Sequence, residues 1–193
     1  MSSPSVLSSR HPAAVDALRA HQGSALAQVA TIVLFAMLTA LGAQVRIYLW
    51  EIPITLQTIF VYGSGLCLGG RNGFCSILLY LALGLVLPVY AGGEYGFSYW
   101  LAAPSAGYLL GMPLAALVAG HLSQRWNTLT GSLLSLVCGS LALFTCGVVW
   151  LHFAADHTTW MESLNKGFLR FVAIDAVKVL CVAFLYNQVR RIR

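Results

Sequence analysis

The chain has 193 residues, 59% of them hydrophobic and 9% charged, with a mean hydropathy of +0.78. Soluble domains run at roughly 45–50% apolar and about 25% charged, so a water-facing globule is excluded, and a disordered chain with it. Eleven Lys and Arg against six Asp and Glu leave a net +5, and where that charge sits decides whether nucleic acid or a membrane explains it.

The length suits one domain. Residues 1–24, rich in Ser, Ala and His, read as a short mobile cytoplasmic tail, and 25–193 as a membrane domain. A spanning helix needs about 20 mainly apolar residues to cross about 30 Å of hydrocarbon. Six stretches are predicted to span: Ala25–Val45, Ile54–Gly70, Gly73–Ala91, Pro104–Leu122, Thr128–Phe153 and Phe168–Val189. The expected fold is all-α, a polytopic membrane protein with six transmembrane helices.

The first run is longer than the apolar core of a signal peptide and reads as a retained span, although Leu41-Gly42-Ala43 could serve as a cleavage site. The breaks at RIYLWEIP (46–53), GGRNG (69–73), AGGEYGFS (91–98) and QRWN (124–127) read as turns. The second run is short and is expected to sit partly in the interface or be covered by its neighbours. Five cysteines, Cys67, Cys75, Cys138, Cys146 and Cys181, lie inside apolar runs and read as small packing residues.

With the N-terminus inside, the cytoplasmic segments hold Arg10, Arg19, Arg71, Arg125, Arg190, Arg191 and Arg193; the outer loops hold Arg46, Lys166 and Arg170. Seven cations against three favour both termini inside. The basic excess is thus an orientation signal, and no nucleic-acid partner is expected.

The last span, GFLRFVAIDAVKVLCVAFLY, carries Asp175 and Lys178. A central ionisable residue costs about 2.5–3.5 kcal/mol on insertion scales, so two of them need a reason. Three residues apart, they share a helix face. Asp175 is seven residues beyond Phe168, about 10 Å along the axis, which puts the pair in the outer half of the bilayer. They make either an ion pair that locks helices together or a ligand site on a cavity. A carboxylate beside an ammonium suits a neutral polar group such as a urea or amide, and the cavity is favoured because other polar and glycine-rich features fall on the same side.

Those features begin at EIPITLQT (51–58), where Pro53 fits a first helical turn and Thr55 and Gln57 point into the second span. Tyr80 follows in the third span. Gly92 and Gly93 let the backbone approach a ligand after Pro88-Val89-Tyr90-Ala91. Ser105, Gly107, Tyr108 and Gly111 open the fourth span, with Tyr108 an aromatic wall. In the first span Ala36, Ala40, Gly42 and Ala43 form a stripe of small residues that another helix, internal or from a partner, can pack against.

PITLQT (53–58), GGRNG (69–73), LYL (79–81), PVYAGG (88–93), GYLLG (107–111) and the Asp-x-x-Lys of Asp175 and Lys178, in that order and spacing, resemble the BioY family, the substrate-binding S components of energy-coupling factor biotin transporters. The similarity covers the membrane core, roughly 25–193. The resemblance implies a multi-pass protein of the plasma membrane that captures biotin from outside, with Asp175 and Lys178 touching the vitamin and Gln57, Tyr80, Tyr90, Gly92, Gly93 and Tyr108 lining or shaping the pocket. It also implies docking on a membrane-embedded T component through Ala36 and Ala40, and two cytoplasmic ATPases as the energy source. The sequence has no Gly-x-x-x-x-Gly-Lys-Ser/Thr loop of its own. No cofactor or metal is implied, since biotin is the cargo. The chain departs from the family's Gly-Pro-Thr-Gly-Gly-Tyr with Ala103-Pro104-Ser105-Ala106-Gly107-Tyr108, and its 94–100 loop (EYGFSYW) is aromatic and carries Glu94.

Other classes fit less well. Ser105 as the nucleophile of an intramembrane hydrolase would need a base, and His121 is 16 residues on, about 24 Å along the helix. His152, which starts the outer loop, could approach Ser105, but no strained nucleophile turn is present. His152, Asp156 and His157 as a metal site is disfavoured, since the two histidines, five apart, do not share a helix face. A different vitamin on the same scaffold is the rival within the class, and no ring of like charges marks a channel.

Overall fold

A computed structural model describes residues 24–47, 52–126 and 128–191. The expected tail (residues 1–23 of it), Glu51 and the cations Arg10, Arg19 and Arg193 lie outside the described residues.

Helix α1 spans Ala25–Gln44. A two-residue strand β1 (Arg46–Ile47) follows and pairs antiparallel with β2 (Ile54–Thr55). Helix α2 then runs Gln57–Leu68 and α3 runs Gly70–Gly84. After an irregular stretch come the short helix α4 (Phe97–Ala102), α5 (Ala106–Ser123) and α6 (Leu129–Ala154). The last unit is nearly continuous: α7 (Trp160–Leu164), a π-helical turn (Asn165–Leu169), and α8 (Arg170–Arg191).

The sequence expectation of an all-helical membrane protein holds at this level, and the differences are local. The second stretch is not helical from Ile54. Its first residues extend as β2, because Pro53 and the β-branched Ile54 and Thr55 favour extended backbone. The GGRNG break shrinks to one residue, Gly69, whose φ of +81° is open to glycine and strained for any other residue. Helices α2 and α3 therefore fold back on each other directly, so that Gln57 at the start of one meets Tyr80 near the end of the other. The third stretch stops at Gly84 rather than Ala91.

Among the described residues three helices, α1, α5 and α6, are long and apolar enough to cross a membrane. Helix α5 is the most enclosed of them. It packs on α2, α3 and α6, while α8 closes the bundle against α2 and α6. Glycines set the closest approach: a Cβ on Gly65 of α2 would stand 2.6 Å from the carbonyl oxygen of Ala116 in α5. Helix α1 lies against α2 and α3. Its small-residue stripe faces inward, with Ala36 and Ala43 fully buried and Ala40 half-buried against the same core. Of the two residues expected to present a docking surface, Ala36 is enclosed within this chain and is corrected to a packing residue: side chains this small are what let α1 settle on the hairpin. The outward face of α1 carries Leu26, Leu34, Met37 and Leu41 instead.

Candidate functional site

The strand pair, the irregular 85–96 segment, α4 and the α6–α7 connection gather at one end of the bundle, and a cavity opens there. It holds about 680 Å³ of atom-free space, the open solvent at its mouth included. Its walls are mainly apolar: Leu109 and Met112 from α5, Leu143 and Phe144 from α6, Phe171 and Ile174 from α8. Thr55, Gln57, Thr58, Tyr108, Asp175 and Lys178 supply the polar groups.

Asp175 is buried, and both of its oxygens lie near the Tyr62 hydroxyl, at 2.9 and 3.1 Å. Ser140 donates to the same carboxylate. Lys178 does not lean on Asp175 for its hydrogen bonds. Its ammonium donates to the Thr55 carbonyl at 2.7 Å and to the Thr58 hydroxyl at 3.0 Å. Each member is thus fixed separately by a residue of the α2 region, and both border the cavity. An ammonium has three N–H groups, so two protein partners leave one for a ligand.

Gln57 lines the cavity with its amide locked, its oxygen accepting from Thr55 Oγ1 at 2.9 Å and its nitrogen donating to the Tyr80 hydroxyl at 2.5 Å. Tyr80 itself is fully buried behind Gln57 and outside the lining. Tyr90 is likewise enclosed; its hydroxyl donates to the Leu81 carbonyl at 2.7 Å and accepts from the Trp100 indole N–H at 2.8 Å. Its ring stacks on Tyr99 at 5.4 Å, and Tyr99 does line the cavity. Gly92 and Gly93 (φ 99° and 74°) shape the turn beyond Ala91, the lining residue of that segment. Tyr108 borders the cavity and donates to the Gly167 carbonyl at 2.7 Å, tying α5 to the π-helical turn. Its ring meets Phe144 edge to face at 6.1 Å, and Phe144 meets Phe168 the same way at 5.1 Å.

A second, shallower hollow lies over the mouth and shares Pro53, Ala91, Tyr99 and Ser105 with the cavity. Glu94, Tyr95 and Ser98 line its outer part. The Tyr99 hydroxyl and Ser105 Oγ, 3.1 Å apart, stand where the two spaces meet.

Tyr62, Ser140, Tyr99 and Phe171 were not singled out in the sequence. A Tyr or Ser in an apolar run carries no positional signal, and the one available cue was the need of a buried Asp175 for donors. Ser105, the nucleophile of the hydrolase reading, is engaged with Tyr99, and His152 Nδ1 lies 2.9 Å from Ser163 Oγ. His157 Nδ1 approaches the same hydroxyl at 3.0 Å, so the two rings of the metal-site reading converge on Ser163.

Residues 14–193 match the BioY family. The chain belongs to that family. A probable biotin transporter BioY of Lysinibacillus sphaericus is 36% identical over 169 residues, spanning 83% of this chain and 85% of the relative. The biotin transporter BioY of Thermotoga maritima is 31% identical over 160 residues, spanning 82% and 93%. The fold matches the crystal structure of the S-component for biotin from an ECF-type ABC transporter, with a TM-score of 0.76, 23% identity, and coverage of 86% of this chain and 92% of that one. Membership of a transporter family and the three long apolar helices make this BioY-family chain a multi-pass membrane protein, not an enzyme.

Proposed function

We propose that the protein captures biotin in the cavity beside Asp175 and Lys178 and acts as the substrate-specific S component of an energy-coupling factor transporter. The observation that carries this reading is the convergence of a buried acid and a tethered amine on one apolar, aromatic-walled cavity. Biotin is an apolar bicycle with a urea at one end and an acid tail at the other. Asp175 accepts from the urea N–H groups, and the third N–H of Lys178 donates to the urea carbonyl or the acid. Gln57 and Tyr108 edge the pocket, Phe144 and Phe171 cover the rings, and Tyr80, Tyr90, Gly92 and Gly93 brace the mouth from behind. The relatives named for biotin transport support the choice of ligand.

The proposed topology has six spans in one domain with both termini in the cytoplasm, in the plasma membrane. Arg71, Arg125, Arg190 and Arg191 lie at the bundle end opposite the cavity, which supports a cytoplasmic position for that end. The cavity then faces outward. A membrane-embedded T component and two cytoplasmic ATPases drive release inward, and biotin is cargo, so no cofactor takes part.

Equilibrium binding of tritiated biotin to the purified protein tests the reading. We expect a nanomolar-scale Kd, near −12 kcal/mol, and at least a 100-fold loss in Asp175→Asn. Unchanged affinity in that variant removes the site. Binding of another vitamin in place of biotin assigns the scaffold to that ligand.

A further inference from the structure

Two side chains outside the cavity decide how Asp175 meets its ligand. Helices α2 and α8 run past each other as a polar ladder: Thr58 holds Lys178, and Tyr62, one turn further along α2, holds Asp175. Ser140 of α6, one turn before the lining residue Phe144, donates to Oδ2 of Asp175, the oxygen that the Tyr62 hydroxyl also approaches. Tyr62 is fully buried, Ser140 nearly so, and neither lines the cavity. Asp175 lines it.

A carboxylate offers about four lone-pair positions, and it is an acceptor only. Hydroxyls from two different helices fill part of that capacity and fix the plane of the group, so the remaining positions present one orientation to the cavity. An acid held this way loses little rotamer freedom when a ligand arrives, which is where pre-organisation raises affinity. From this we infer that Tyr62 and Ser140 are positioning residues for ligand capture, acting through the Asp175 carboxylate and not on the ligand. The inference rests on the biotin reading above.

The test is a double-mutant cycle on the full-length protein purified in detergent, read as tritiated biotin affinity. Tyr62→Phe and Ser140→Ala each delete one hydroxyl and keep the rest of the side chain, so packing is retained; elution as the same single species as wild type checks this. Each deletion frees the carboxylate to turn before the ligand arrives, so we expect each variant to weaken binding on the order of tenfold. In an Asp175→Asn background the same deletions change affinity less than about twofold. Ser140→Cys, similar in size but a weak donor, falls between wild type and Ser140→Ala.

Equal losses in both backgrounds overturn the inference, because a hydroxyl that acted through Asp175 cannot cost the same without it. Wild-type affinity in Tyr62→Phe and Ser140→Ala overturns it too, while leaving biotin capture standing. A wild-type protein that binds no biotin overturns the functional reading and this inference together.

Discussion

The ammonium of Lys178 donates to the main-chain carbonyl of Thr55, 2.7 Å away and 123 residues earlier in the chain. That bond pins the end of the β pair to the last helix and aims the lysine at the cavity. Lys178→Ala would leave a partly buried carbonyl and the Thr58 hydroxyl without their donor, at a cost of about 1–3 kcal/mol each. We expect biotin affinity to fall about 100-fold, and Lys178→Arg to recover little of it, since a planar guanidinium does not reproduce an ammonium's three donors. Calorimetric titration of the two variants checks this; recovery by arginine would mean that charge alone matters.

Tyr108 joins α5 to the π-helical turn through the Gly167 carbonyl. A π turn leaves its backbone bonding irregular, so this side-chain donor stabilises it. Tyr108→Phe should lower the melting temperature in detergent by several degrees, from about 1–3 kcal/mol of lost bonding. Biotin affinity should change less than in Asp175→Asn.

Tyr99 and Ser105 line both the outer hollow and the cavity, their hydroxyls 3.1 Å apart, where a gate between the two spaces would stand. Removing the hydroxyl in Tyr99→Phe should raise the association and dissociation rates together and leave Kd within about twofold. Stopped-flow quenching of tryptophan fluorescence reads both rates. A change in Kd alone would put Tyr99 among the ligand contacts rather than at a gate.

Two glycines of α2 should answer differently to alanine. At Gly65 the new Cβ meets the Ala116 carbonyl oxygen at 2.6 Å, backbone against backbone, whereas at Gly63 it meets the Phe35 ring at 3.4 Å. Gly65→Ala should cost on the order of 1–3 kcal/mol as overpacking, and Gly63→Ala close to nothing. Thermal unfolding of the pair separates the two.

On α1 the same contrast distinguishes inside from outside. Ala36 is fully buried and Leu41 is 64% exposed. Ala36→Trp should abolish recovery of folded protein, and Leu41→Trp should behave as wild type in size-exclusion chromatography.

The α5–α6 hairpin was legible in the sequence to within two residues at each end, because long apolar runs bounded by Pro104 and the capping Thr128 leave few alternatives. Asp175 and Lys178 stood out for the same reason, as charges in apolar surroundings. The β pair, α4 and α7 were not legible: each is a few residues long, in mixed polar and aromatic sequence, and held by tertiary contacts rather than periodicity. The stripe at Ala36 shows a different limit. Small residues mark close packing equally well for an internal neighbour and an external one, and only the folded chain distinguishes them. Tyr62 and Ser140 gave no signal because their partner lies more than thirty residues away in sequence.

Gly69 joins α2 and α3 with no loop between them, and the arms have 12 and 15 residues. At 1.5 Å per residue they reach about 18 and 22 Å, short of a hydrocarbon layer about 30 Å thick. No residue of α2 is exposed, so the shorter arm does not meet lipid and its neighbours complete the width of the layer; α3, with Arg71, Leu78 and Ala82 exposed, is the arm that faces the bilayer. Acyl-chain length therefore bears on α3 rather than on the helix that carries Gln57 and Thr58.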